Sequence, residues 1–178
     1  MILTDTFNPA ERGWPVVTTE TSSASYIDGA YQLLLQGTNA IRFAYPIELT
    51  HHELQVDVSV EIGAAGVIFL SANPVTSYEF LIRSDGKYII QRVDENIPTK
   101  VIPWTDAEAL QRGPGATNQL RIARQGMNIL FFANDQLLTN FRVRSPELTS
   151  SYGFALSSGD SRGQARFDNL IVRRLPEQ

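Results

Sequence analysis

The stretch His52–Gly63, HELQVDVSVEIG, alternates without a break. Leu54, Val56, Val58, Val60 and Ile62 fall on one side, and Glu53, Gln55, Asp57, Ser59 and Glu61 on the other. Successive side chains of a strand point to opposite faces, so this is the signature of a strand with one buried and one wet face. The same period recurs outward in both directions. Strands are expected near 30–35, 40–44, 66–71, 118–124, 151–157 and 165–173, separated by Gly, Pro, Asn or Asp turns at about 8–12 residues, the rhythm of a sandwich or barrel. Only Asp106–Arg112, DAEALQR, reads as helical, and the GPG that follows stops it. No repeat or low-complexity linker divides the chain. The expectation is one all-β domain over 1–178, an antiparallel sandwich of two sheets.

Composition bounds what such a domain does. With 178 residues, 43% of them hydrophobic and 19% charged, the chain can bury a core without staples. A formal charge of −4 leaves no cationic footprint for phosphates, so nucleic acid is not an expected partner. The absence of cysteine removes disulfides, thiolate nucleophiles and Cys-ligated zinc together. No stretch approaches ~18 consecutive apolar residues, so membrane insertion is not expected. The start, MILTDTF, has neither the basic opening nor the apolar run of a secretory signal. Removal of a leader, or excision from a larger multidomain parent, stays open.

Two hairpins fix local register. In Tyr78–Val93, YEFLIRSDGKYIIQRV, Asp85-Gly86 supplies a two-residue turn. Pairing Ser84 with Lys87 then sets Arg83 opposite Tyr88, Ile82 opposite Ile89, Phe80 opposite Gln91 and Glu79 opposite Arg92. With Tyr78, Phe80, Ile82 and Ile89 toward the core, the outward face carries Glu79, Leu81, Arg83, Tyr88, Ile90 and Arg92. In NILFFANDQLLTNF, Asn128–Phe141, the turn falls at Asn134-Asp135.

Asp5-Thr6-Phe7 with nearby Trp14, YIDGAYQL, the Tyr78-x-Phe80 strand before SDGKY, Trp104, NQLRIARQGMNILFFAND and the closing GQARFDNLIV together resemble concanavalin A-like jelly rolls. Their flavour is that of bacterial laminin-G-like and 3-keto-disaccharide-hydrolase-type domains. The resemblance covers nearly the whole chain through structural motifs. It implies that the first and last strands lie side by side, with Phe7 and Phe167 sealing one end of the core. It also implies an extracytoplasmic setting and a carbohydrate partner. Asp5 and Asp168 then bond backbone amides as Asx turns do, or, as in some jelly rolls, hold Ca²⁺ near the termini.

Several motifs invite chemistry. GDSRG, Gly159–Gly163, spells a nucleophile elbow, but a strand follows where a helix is needed and both histidines precede it, so Ser161 reads as a loop serine. Glu53, Asp57 and Glu61 suggest a glycosidase face, yet a spacing of four places successive acids ~13 Å apart, too far for a catalytic pair without an acid from a neighbouring strand. His51 and His52 point to opposite faces and cannot easily share a metal. The outward hairpin face is the strongest signal. Aromatic and aliphatic groups beside two guanidiniums stack on a sugar ring while Arg and Glu bond its hydroxyls. The competing reading is an ion pair of Glu79 with Arg92, a cation–π contact of Arg83 with Tyr88, and a loop packed over Leu81 and Ile90. The expected function is a non-catalytic recognition module binding carbohydrate through Glu79, Arg83, Tyr88 and Arg92, with Trp104 at the rim. A concanavalin A-like glycoside hydrolase using Asp57 or Glu61 and a protein-interaction domain using Leu81 and Ile90 are the alternatives.

Overall fold

A computed structural model describes residues 3–7, 13–37, 39–73, 75–144 and 148–177. Its strands are β1 (Leu3–Asp5), β2 (Val17–Thr18), β3 (Ser22–Ile27), β4 (Ala30–Gln36) and β5 (Ala40–Ile47). There follow β6 (His51–Ile62), β7 (Ala64–Asn73), β8 (Thr76–Arg83), β9 (Lys87–Asp94) and β10 (Ile97–Asp106). The last are β11 (Thr117–Gln125), β12 (Asn128–Ala133), β13 (Gln136–Arg142), β14 (Thr149–Ser157) and β15 (Arg162–Arg174). They form a nine-stranded sheet in the order β13-β12-β11-β6-β15-β4-β3-β2, with β1 also on β15, and a six-stranded sheet in the order β10-β9-β8-β7-β14-β5. All pairings are antiparallel. Asp106–Arg112, which reads as helical, forms turns after its first residue, and Ala107 and Leu110 drop into the core instead. Among the described residues no helix is long and apolar enough to cross a membrane.

Strand β6 behaves as its alternation predicts. Leu54, Val56, Val58 and Val60 are buried between the sheets, while Ile62, at the strand's end, is 40% exposed. Strand β1 pairs with β15, with Asp5 opposite Leu170. Phe7 and Phe167 meet through Phe154, which stacks on Phe167 at 4.3 Å between centroids, on Trp14 at 4.5 Å, and lies 5.8 Å from Phe7. Both termini therefore close on one aromatic cluster.

The two terminal carboxylates do not come together. Asp5 faces the core, where Oδ1 accepts from the Phe7 amide at 2.8 Å and Oδ2 from Trp14 Nε1 at 3.1 Å. Asp168 follows the core residue Phe167 and points to the opposite face, its Oδ1 accepting from the Asn169 amide at 2.7 Å. Alternation separates the two side chains, and each caps a nearby backbone amide, as the Asx-turn reading expects.

The Asp85-Gly86 hairpin is corrected by one residue. Leu81 pairs with Ile89 and Ile82 with Tyr88, so Ser84, Asp85 and Gly86 form a three-residue loop beyond the pairing of Arg83 and Lys87. Gly86 takes φ +84° and its amide bonds Arg83 O at 3.1 Å. Glycine at the left-handed position of a three-residue hairpin is the bulged alternative to a two-residue turn. A one-residue slip exchanges the faces of β9 entirely. Tyr88 and Ile90 thus lie in the core, Tyr88 edge-on to Phe80 at 6.1 Å, and Ile89 points outward.

His52 is buried on β6 opposite Arg124 of β11, and its Nδ1 has no hydrogen-bond partner. Burial, and secondarily the Arg124 guanidinium, push its pKa from 6.5 down to about 4. Between those values the unfolded chain binds a proton that the folded chain refuses, so stability is complete above pH 6.5 and falls as pH drops toward 4. The expected loss is about 3 kcal/mol, read from urea melts across pH 4–7. His52→Gln should flatten that arm of the profile, and an unchanged slope would contradict the assignment.

Candidate functional site

The outer face of the six-stranded sheet is low in the middle. One line of register partners runs Arg42, Ala155, Gly66, Leu81, Ile89, and the next runs Ala44, Gly153, Ile68, Glu79, Gln91. Ala155, Gly153 and Gly66 leave a trough between Arg42 of β5 and the larger side chains on β8 to β10. Strand β10 is the edge, where Pro98 and Pro103 are tolerated because part of the ladder is unpaired. Its Trp104 packs against a second apolar cluster of Ala64, Ile68, Leu81, Ile89 and Ala155.

Arg83 lies over the Trp104 ring, 4.9 Å from its centroid, and bonds Asp85 at 2.5 Å. Trp104 is half-buried. The groove here, about 620 Å³, has Leu81 and Ile89 in its lining, with Gln91, Lys100, Ser158 and Asp160 as polar groups. Asp85 lines the same groove, and its Oδ1 is buried without a hydrogen-bond partner among the described residues.

Glu79 is fully buried. Its carboxylate pairs with Arg42 Nε, and its second oxygen accepts from Gln91 Nε2 at 2.8 Å. Arg42 reaches it from β5 across β14 and β7, strands ~4.8 Å apart each, so the pair lies flat over the glycines. Beyond it a second pocket of about 530 Å³ is lined by Arg42, Ala44, Ile68, Ser71, Ser77 and Ser151, among others.

Of the residues expected to bind ligand, the structure brings Arg83 and Trp104 together, while Glu79 is fully buried and bonded to Arg42 and Gln91. Tyr88 and Arg92 are corrected. Tyr88 is 5% exposed in the core, and Arg92, opposite Tyr78, lies on the other face of its sheet, paired with Asp94 at 2.8 Å. Glu79 bonds Arg42 rather than Arg92, and Arg83 covers Trp104 rather than Tyr88. The Leu81/Ile90 patch is not a surface: Leu81 is 1% exposed and Ile90 is in the core. Reasoning from sequence missed Gln91 and Lys100, which a three-residue hairpin loop and a β10 edge strand would have indicated, and Arg42, which no local signal marks.

The acids of β6 lie on the outer face of the other sheet. Glu53 pairs with Arg173 and with Arg121, the latter at 3.1 Å. Asp57 stands opposite Asp168 and accepts from Asn169 Nδ2 at 2.9 Å. Ser161 sits in the turn between β14 and β15, with no helix after it. Among the described residues no three His, Cys, Asp or Glu side chains group as metal ligands.

No family model and no curated protein sequence matches the chain. Solved structures do. The carbohydrate binding module CBM66 from Bacillus subtilis is similar with TM-score 0.65 and 11% identity, over 89% of this chain and 99% of that one. A Bacillus licheniformis beta-glucanase gives 0.60 and 11%, over 97% and 98%. The Caenorhabditis elegans galectin LEC-6 gives 0.52 and 13%, over 79% and 96%. At such identities the likeness is one of fold, and that fold is the concanavalin A-like jelly-roll sandwich.

Proposed function

We propose that this domain is a non-catalytic carbohydrate-recognition module whose ligand lies in the groove beside Trp104. The observation that carries the reading is Arg83 held over Trp104 next to the apolar Leu81 and Ile89, in a groove rimmed by Gln91, Lys100 and Asp160. An apolar floor with a few convergent polar groups suits a sugar, whose ring faces are apolar and whose edges are hydroxyls. A carbohydrate binding module and a galectin among the structural neighbours support the same class. The hydrolase alternative, which needs Asp57 or Glu61 to converge with another carboxylate, draws on the opposite face of the molecule, where Asp57 stands opposite Asp168 on the outer side of the other sheet.

Trp104→Ala is expected to weaken binding of a glycan found on an array by about 10- to 30-fold, the loss typical of an aromatic anchor. Arg92→Ala should leave binding unchanged, since Arg92 is on the far face. Fluorescence titration checks both, and equal affinity in Trp104→Ala and the parent would count against the groove.

A further inference from the structure

The second pocket on the same face differs in chemistry from the first. Its polar groups are Arg42 and the hydroxyls of Ser71, Ser77, Thr149 and Ser151, with Tyr45 at its margin, and among the described residues no carboxylate lines it. Arg42 spends only Nε on Glu79, whose other oxygen is taken by Gln91. A guanidinium has five N–H donors in a planar fork, so the four on Nη1 and Nη2 remain for another acceptor. Ser71 Oγ donates to Ser151 Oγ at 3.1 Å and Thr149 Oγ1 to Ser71 O at 3.0 Å. The hydroxyl protons of Ser77 and Ser151 have no acceptor among the described residues. One fixed cation and a ring of hydroxyls make a site rich in donors and poor in negative charge. The bond to buried Glu79 already holds Arg42 in place, so binding an oxyanion there would immobilise little further.

We infer that this pocket takes the carboxylate of an acidic sugar residue, with the Arg42 fork on the carboxylate and the serine hydroxyls on its oxygens and neighbouring sugar hydroxyls. The inference rests on the carbohydrate reading of this sheet face and adds the ligand's chemical class. The Arg42–Glu79 pair lies between the two pockets, so a ligand filling both carries its acid toward Ser77 and a neutral ring beside Trp104.

The test is a chemical-shift titration of the ¹⁵N-labelled domain with sodium D-galacturonate, D-galactose and sodium sulfate in separate arms. Galacturonate should move the amides of Ala44, Ser71, Ser77 and Ser151 saturably, and galactose at equal concentration should not. Ser77→Asp adds a carboxylate to the lining of this pocket while leaving the Arg42–Glu79 pair, and should weaken the galacturonate response at least tenfold. Equal responses to both sugars, no response to galacturonate, or tighter saturation by sulfate than by galacturonate would each overturn the assignment. Galactose shifts at Leu81, Arg83 and Trp104, with the serines silent to galacturonate, would sink this inference and leave the Trp104 groove standing. Galacturonate shifts confined to the serine pocket would support the anion site and count against the groove.

Discussion

Phe154→Ala should destabilise the domain by about 3–5 kcal/mol, the range for deleting a fully buried aromatic ring. Phe154 is fully buried and joins what the chain brings from its two ends: Phe7 and Trp14 from the first residues, Phe167 from the last strand, and Tyr31 at 6.0 Å. Losing it removes ring contacts on several sides, and neighbours on rigid strands relax little into the gap. The same cavity loosens β1, which holds the sheet through three register pairs with β15. Urea denaturation should show a lower midpoint at a similar slope. A cost below ~1 kcal/mol would mean that the cluster is not the keystone of the termini.

Arg42→Met should cost about 3–5 kcal/mol, because it leaves the fully buried Glu79 carboxylate without its cation. Adding Glu79→Leu should recover most of that loss. Leucine removes the charge and continues the apolar cluster of Ile68, Leu81 and Ile89. Buried ion pairs often break even against apolar replacements, so the double variant should fall within ~1 kcal/mol of the parent, with Gln91 losing one bond. Additive losses in the double variant would contradict a pair that spans the trough as one unit. This cost is also why Ser77, rather than Arg42, is the residue to alter when the second pocket is probed.

The parts of the fold legible in sequence are those where one strand face is buried and the other wet. Leu54 to Val60 alternate cleanly, and Asn134-Asp135, with φ of 48° and 65°, makes the two-residue turn the sequence implies. Strand β9 defeats the same reasoning. Tyr88, Ile89 and Ile90 are all buried, because the core takes two of them and the cluster under Trp104 takes the third. A strand buried on both faces carries no period of two, so nothing in KYIIQRV distinguishes the two-residue turn from the bulged loop. That single ambiguity moved Tyr88 and Arg92 onto the wrong face. Arg83 keeps the outward placement read for it, since it is on β8, whose alternation was correct, and Trp104 comes beside it from the edge strand β10. The Arg42–Glu79 pair was beyond reach, because it joins residues 37 apart on strands that are not neighbours.

The site owes its shape to that same cover. An outer sheet face with an apolar cluster is unusual unless something packs there or binds there; here Trp104 packs over it, and the proposed ligand groove runs beside that cover. The most direct test is a glycan array of the domain and its Trp104→Ala variant, each with calcium and with a chelator. The account predicts specific glycan signals for the parent in both conditions, sharply reduced in the variant. A blank array for the parent, or equal signals from the variant, would contradict recognition of carbohydrate in this groove.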